Sequence, residues 1–527
     1  MDRCDLSSNI SLFDRLYQPE RAARVAVLYD HTEITYEDLR DRTVRAAEAL
    51  NALSINVGDR VGILLNDSPE FISTFVAIIS LGAIAVPINL ALRREDQLFI
   101  LKDCGARAAI IEGKAAETLF QGSDIQTEVK DLLVIRGNNE SSSHSIAGMN
   151  AQTFEAAQRR QLDREFPVRE NKEADAFILY TSGSTGEPKG AVHRQADIFY
   201  TNETFCAEVL KLQEGDRLFS SSRLPFAYGM GNSFTFPLLN GFTTILCREK
   251  PTPEVVSRVF QEYRPTIFFG VPVVYSMLLE HHRGGDKLDT SSLRLCASAG
   301  EALPAQLGED WEKTFGVEVL DGIGSTEMLH MFMSNHQGEV RYGSSGKLLR
   351  GYDARLVDHE GTPTQPGEAG NLWIRGDSAA LRYWQRPETT SETFIDGWVR
   401  TGDLYVRDAD GFWWHKGRGD DCFKPTGQWV SPVEVENVLL RHESVRAAAV
   451  VEGFDEHELS CVCAFVVMTD DVVDAAEQEL RTLCENALPR FKQPRRYLFV
   501  SELPYTATGK VQRFKLREQL RSSEFNL

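Results

Sequence analysis

Apolar and polar positions follow two rhythms along the chain. Short apolar runs at 61–65, 84–88, 108–111 and 131–135 have the length of buried strands and alternate with longer stretches of helical spacing. That alternation predicts βαβ units and a parallel sheet. Over 36–50, Leu39, Thr43, Ala46, Ala47 and Leu50 fall on one helical face, and Thr35 with Asp38 supplies a variant capping box at its start. The longest apolar stretch, 75–92, is interrupted by Ser80, Gly82, Pro87 and Asn89, so it reads as helix, turn and buried strand rather than a membrane span.

The polar cluster at 138–145 (NNESSSHS) reads as a loop, and no segment repeats at a fixed period. Gly417-Arg418-Gly419-Asp420-Asp421 separates a long α/β body, residues 1–419, from a tail, residues 420–527, with its own pattern. The tail opens on Ser431 as an N-cap, Pro432 at the first helical position and Glu434 to complete a capping box. Strands near 447–451 and 460–468, a helix near 475–488 and a strand at 497–500 follow, which suits a compact α+β lid.

Composition narrows the function. The 527 residues are 42% hydrophobic, enough for a sizeable core. With 77 Asp and Glu against 57 Lys and Arg, the net charge of -20 argues against nucleic acid or an anionic membrane as partner. The start, Met1-Asp2-Arg3-Cys4-Asp5, has no secretion signature, and the nine cysteines form no CxxC pair. Reduced thiols in a cytoplasmic protein are expected. Cys461 and Cys463 share one face of a strand and read as core rather than as a metal site.

The strongest chemical signal follows the buried strand Ala176-Phe177-Ile178-Leu179-Tyr180. Thr181-Ser182-Gly183-Ser184-Thr185-Gly186-Glu187-Pro188-Lys189-Gly190 combines hydroxyls, glycines and a lysine. Backbone N–H groups can approach phosphates closely in such a loop, hydroxyls add donors, and Lys189 adds charge. It is not a Walker A loop, which needs Gly-Lys adjacent and a helix opening directly afterwards, whereas Glu187 and Pro188 intervene.

This string resembles the signature loop of the adenylate-forming superfamily, which comprises acyl-CoA synthetases, luciferases and the adenylation domains of peptide synthetases. Ser298-Ala299-Gly300-Glu301, Gly324-Ser325-Thr326-Glu327, Thr401-Gly402-Asp403, Gly417 to Asp421 and Thr508-Gly509-Lys510 extend the resemblance, in the family's order, over nearly the whole chain. The resemblance implies an α/β fold: a large N-terminal domain with stacked sheets and a small mobile C-terminal α+β domain, the site lying between them. It also implies attack of a carboxylate on the α-phosphate of ATP, giving an acyl-adenylate and pyrophosphate. By the same resemblance Thr181, Ser182, Thr185 and Lys189 hold the β- and γ-phosphates, Glu327 holds Mg²⁺, and Thr326 meets the α-phosphate. Asp403 and Arg418 match the ribose contacts, and Ala299, Gly300, Glu301, Asp321, Gly322 and Ile323 match the segments enclosing adenine, although Ile323 stands where the family often has an aromatic residue. Lys510 resembles the lysine bridging carboxylate and α-phosphate, and Asp420 the hinge. Lys424, Gly427, Gln428 and Trp429 match the loop lining the pantetheine tunnel of coenzyme A. Arg490, Lys492 and Arg495 are candidates for its phosphates.

For the acid itself, Leu224-Pro225-Phe226-Ala227-Tyr228-Gly229-Met230-Gly231-Asn232 and Met328-Leu329-His330-Met331-Phe332 closely resemble benzoate-CoA ligases. Aromatic walls with small residues at Ala227 and Gly324 suit a flat aryl slot. His330 is a candidate substrate-binding residue with two readings: it hydrogen-bonds an ortho or meta substituent of the ring, or, the favoured case, it sits satisfied beside the pocket. Met331, if it lines the slot, can adapt to a substituted ring such as 2-aminobenzoate. An α-amino acid is disfavoured, because no acidic residue occurs between Arg217 and Leu246. The expected activity is an AMP-forming aryl-CoA ligase acting on a small aryl carboxylate of benzoate or anthranilate type. A stand-alone enzyme loading a carrier protein is the alternative, and an inactive AMP or acyl-AMP sensor is a third reading, disfavoured by Lys510, Glu327 and Asp403. Homodimerisation is a family expectation.

Overall fold

The computed structural model describes residues 10–121, 127–135, 145–146, 149–154, 171–182, 187–358, 360–365, 367–419, 421–423, 425, 428, 430–442, 444–454, 459–469, 473–506 and 510–521. Two large mixed sheets form the body. One runs in spatial order from Lys347–Leu348 through Met331–Ser334, Val319–Gly324, Leu295–Ser298, Ile267–Gly270, Arg217–Ser220, Thr243–Ile245 and Val25–Tyr29 to Thr32–Thr35. The other runs from Arg382–Tyr383 through Pro188–Arg194, Asp175–Ser182, Ile84–Pro87, Arg60–Leu64, Ala108–Glu112, Asp131–Ile135 and Met149–Thr153 to Ser145–Ile146. The four apolar runs read from the sequence are neighbouring parallel strands of this second sheet.

Helices Tyr36–Ala52 and Pro69–Ser80 lie in the core shared by the two sheets, where Leu39, Ala46, Phe71 and Phe75 join Val27 and Ile34 of one sheet and Val61, Ile63 and Phe177 of the other. Thr35 and Asp38 form the reciprocal capping box at the first of these helices. The 75–92 stretch resolves as the end of the second helix, a turn with Gly82 at φ +74, and the strand Ile84–Pro87. Among the described residues, no helix is long and apolar enough to cross a membrane.

A third sheet of Asp353–Val357, Gly370–Arg375, Trp398–Arg407, Phe394–Ile395 and Trp413–Arg418 leads to the tail. There the antiparallel pair Val445–Phe454 and Ser460–Met468, with Arg496–Phe499 added in parallel, packs against helices Pro432–Leu439, Val473–Ala487 and Arg513–Arg521. Ser431 caps its helix by accepting the Glu434 N–H, but the reciprocal half of the expected capping box is missing. Lys492 Nζ instead donates to the Glu434 carboxylate at 2.6 Å, and a full opposite charge outcompetes a backbone N–H for that carboxylate. Cys461 and Cys463 are buried on one strand face, Sγ to Sγ 3.8 Å, and each cysteine among the described residues is a free thiol. Of residues 138–145, read as a loop, 138–144 lie outside the described residues, as does Cys4, whereas Ser145 begins the short strand Ser145–Ile146 paired with Met149–Thr153.

Candidate active site

The first sheet decides where the motifs meet. Strands Arg217–Ser220, Ile267–Gly270, Leu295–Ser298 and Val319–Gly324 are parallel and in register, Ser298 beside Asp321 and Gly270 beside Ser298. Their carboxyl ends therefore open together, and the crevice outside such ends is where open α/β sheets bind ligands. Ala299 is buried there, and Gly300 turns at φ +97, a torsion that residues with side chains avoid. Burial pushes the Asp321 carboxyl up to about 8, against the Leu303 N–H that it accepts at 3.2 Å. Gly322, Ile323 and Gly324 pair antiparallel with Ser334, Met333 and Met331.

The phosphate loop joins two antiparallel strands of the second sheet, with Thr181 opposite Lys189 and Ser182 opposite Pro188. Thr185 lies outside the described residues, as does the side chain of Ser182. The second hairpin strand also pairs with Arg382–Tyr383, Ala191 opposite Tyr383. This pairing puts the Tyr383 hydroxyl 2.6 Å from Glu327 Oε1, to which it donates, and the Tyr383 ring face 6.0 Å from Lys189 Nζ. Burial first, then the charge of Glu327, keep the phenol protonated far above its ordinary range, which preserves it as a donor. The Thr326–Glu327 backbone is held from both sides. His193 Nε2 donates to the Thr326 carbonyl at 2.8 Å, its other ring nitrogen faces Asp197 at 2.9 Å, and the Ala380 N–H donates to the Glu327 carbonyl at 2.7 Å. His193 and Asp197 are fully buried. The sequence reading missed Tyr383 and His193, and its one usable signal was a His and an Asp four apart just after the lysine of the loop.

In the third sheet Asp403 stands opposite Arg418, Oδ1 to Nη1 3.5 Å, with His415 Nε2 at 3.6 Å. Burial pushes the Asp403 carboxyl up, but His415, Arg418 and the charge of Lys510 outweigh it and hold the group below the usual carboxylate range. Lys510, exposed on the tail, is thus within electrostatic reach of Asp403 and also of Glu301. The Glu301 carboxylate, expected beside adenine, accepts the Val511 N–H at 2.9 Å. Asp420, Lys424, Gly427 and Trp429 lie outside the described residues.

Beside the Thr326–Glu327 turn is a small cavity of about 10 Å³, lined by Ile198, Thr201, Ala227, Met230, Gly231, Thr235, Leu329 and His330. Leu329 has φ +64 and ψ -39, and the His330 N–H donates back to the Met328 carbonyl at 2.8 Å, the rarer and strained form of a three-residue turn. This turn aims the imidazole inward. His330 was expected to be satisfied, and the structure corrects that: Nε2 meets Asn232 Oδ1 at 3.2 Å, while buried Nδ1 has no hydrogen-bond partner, nor has Asn232 Nδ2. The imidazole packs among the rings of Phe205, Tyr228 and Phe236, with centroids 4.8, 5.5 and 4.6 Å away. Burial holds the imidazole down to about 3. Tyr228 and Phe226, expected as walls of the slot, are half-buried and are not among the residues lining this cavity, and the Tyr228 hydroxyl donates to the Ala297 carbonyl at 3.2 Å. Met331 is not among the lining residues, because its backbone pairs with Gly324 and its methyl packs over the Cα of Gly322, where no side chain stands in the way.

The chain resembles known proteins over nearly its whole length. A benzoate–CoA ligase from Thauera aromatica is 40% identical over 501 residues, covering 94% of this chain and 93% of the relative. An anthranilate–CoA ligase from Pseudomonas aeruginosa is 35% identical over 528 residues, covering 96% and 95%. The crystal structure of an anthranilate CoA ligase in complex with anthranoyl-AMP superimposes with a TM-score of 0.90 at 36% identity, covering 97% of each chain. The family model for AMP-binding enzymes matches residues 17–384, that for the AMP-binding enzyme C-terminal domain matches residues 434–510, and the chain therefore belongs to the AMP-binding enzyme family.

Proposed function

We propose that this chain activates a small aryl carboxylate with ATP and transfers it to coenzyme A, releasing AMP and pyrophosphate. The observation that carries the reading is the meeting of Glu327 with the phosphate loop through Tyr383, whose hydroxyl binds Glu327 and whose ring faces Lys189, close in the chain to the Leu329 and His330 wall of a small cavity. A carboxylate and a triphosphate repel each other, so the main task is neutralising charge at their meeting point. Lys189, Thr181, Ser182 and Thr185 are assigned to the β- and γ-phosphates, Thr326 to the α-phosphate, and Asp403 with Arg418 to the ribose. Lys510 is assigned to bridge carboxylate and α-phosphate, as a mobile point charge can. Among the described residues no cluster of three or more His, Cys, Asp or Glu side chains forms a metal cage. The Glu327 carboxylate and Thr326 hydroxyl are hard oxygen donors that suit Mg²⁺ shared with substrate phosphates. When bound, the ion offsets phosphate charge. Residues 1–419 and 420–527 are proposed as the parts that move, about Asp420, to bring Lys424, Gly427 and Trp429 to the site for thioester formation.

Within the aryl class, His330 on the cavity wall, whose Nδ1 has no hydrogen-bond partner, favours a ring with a polar substituent, anthranilate ahead of benzoate. The cytoplasm is the proposed compartment and a homodimer the proposed assembly. The test is pyrophosphate release with Mg·ATP over benzoate, anthranilate, 4-hydroxybenzoate, octanoate and phenylalanine, each with and without coenzyme A. Aryl-specific, CoA-dependent turnover supports the reading. Aryl-dependent ATP exchange without a thioester moves the acceptor to a carrier protein, and preference for octanoate refutes the aryl reading.

A further inference from the structure

Glu301 belongs to the body, yet its carboxylate is turned away from the strand ends and toward the tail. It accepts the N–H of Val511, a residue 210 positions on and next to Lys510. Among the described residues of that segment, three other backbone donors are satisfied locally. Thr506 N–H goes to the Lys510 carbonyl at 2.7 Å, Gln512 N–H to the Pro504 carbonyl at 2.7 Å, and Lys510 N–H to Thr506 Oγ1 at 3.0 Å. Tyr505 and Val511 are bridged to each other, and the Val511 N–H is given to the body, where Glu301 meets it. Charge favours the same seating. Arg513, two residues on, donates to both oxygens of Glu436 at 2.9 and 2.8 Å and lies near Asp421 of the connecting segment, and its charge and that of Lys510 both act on Glu301. Burial raises the Glu301 carboxyl, so it costs free energy to keep this group ionised there unless those tail cations stay close.

We infer that Glu301 is a positioning residue that docks the tail: by taking the Val511 N–H it fixes Lys510 at the site for adenylation, and it is released when the tail rotates for thioester formation. The inference rests on the proposed two-step reaction, and it assigns to Glu301 a role toward the tail rather than toward adenine. A docking contact used in one pose only must affect one half-reaction only.

The test compares wild type, Glu301→Ala and Glu301→Gln, in the full chain, in two assays. In aryl-acid-dependent ATP–pyrophosphate exchange, Glu301→Ala is expected to fall about ten- to a hundredfold, the scale of a lost hydrogen bond to a charged acceptor. Glu301→Gln keeps a carbonyl acceptor for the Val511 N–H and is expected to retain most of the rate. In thioester formation from supplied aryl-adenylate and coenzyme A, all three are expected to agree within about twofold. Equal losses in both assays overturn the inference, since a role toward adenine or in folding moves both. Hydrogen exchange supplies a reading independent of activity: in the ligand-free protein, residues 505–513 of Glu301→Ala are expected to exchange faster while 460–468 stay protected. Unchanged exchange at 505–513 overturns the docking role even if the aryl reading fails, and wild type that is silent with every aryl acid refutes that reading alone.

Discussion

Replacing Tyr383 by Phe isolates one hydroxyl. The ring stays, and with it the edge contact to Phe394 at 5.5 Å and the face toward Lys189, so packing and the cation–π contact are preserved. What is lost is the 2.6 Å bond that orients Glu327 Oε1. A hydrogen bond to a charged group is worth about 1.5–3 kcal/mol, and at about 1.36 kcal/mol per tenfold this is about ten- to 150-fold. Because Glu327 is the residue assigned to Mg²⁺, the loss is expected to appear as a higher Mg²⁺ requirement and a lower kcat for ATP–pyrophosphate exchange, with the KM for the aryl acid unchanged. The assay is exchange rate against Mg²⁺ concentration at saturating ATP, alongside thermal unfolding to show that the variant folds. A variant with wild-type Mg²⁺ dependence and rate would show that the phenol does not position the carboxylate, and would remove Tyr383 from the account.

Three further outcomes are expected. Gly231→Ala places a Cβ 2.4 Å from His330 Cδ2 and closes the cavity; overpacking costs about 1–3 kcal/mol, so the aryl-acid KM is expected to rise about five- to 150-fold with the ATP KM unchanged, as initial-rate kinetics would report. The imidazole of His330 is held down to about 3, below its ordinary 6.5, so the unfolded chain takes up a proton that the folded chain refuses. The stability this group contributes is present above pH 6.5 and is lost as pH falls through the window toward 3, by roughly 2 kcal/mol at pH 5, and urea titrations should find that increment missing in His330→Gln. Ser431→Ala removes the acceptor of the Glu434 N–H and is expected to cost about 1 kcal/mol, measured by denaturant unfolding of the tail.

Much of this was legible in the chain because it is local. The capping box of Thr35 and Asp38 is set within four residues, and the strand runs of the second sheet are marked by their own apolar character. The phosphate loop and the Gly-Ser-Thr-Glu turn are likewise contiguous strings. What escaped the sequence is set by strand pairing over long separations. Tyr383 reaches Glu327 because Ala191 pairs with Tyr383, and no spacing rule connects residues 56 apart. Glu301 was placed by resemblance in a segment enclosing adenine, and the contact its carboxylate makes with a backbone N–H 210 residues on has no signal in the chain. Glu434 shows the same failure on a small scale, since a local capping rule lost to a lysine 58 residues away. Met331 was offered for the slot on the resemblance of the 328–332 string, but it opens the strand Met331–Ser334, its backbone pairs with Gly324, and its methyl packs over Gly322.

The central claim is that a carboxylate oxygen of an aryl acid attacks the α-phosphate of ATP and that the acyl group then passes to coenzyme A. Turnover of benzoate and of anthranilate labelled with ¹⁸O in the carboxylate, followed by mass spectrometry of the products, tests it directly. The account predicts one ¹⁸O in AMP, none in pyrophosphate, and an aryl-CoA thioester in equal amount. Unlabelled AMP, or ADP and phosphate in its place, would contradict it.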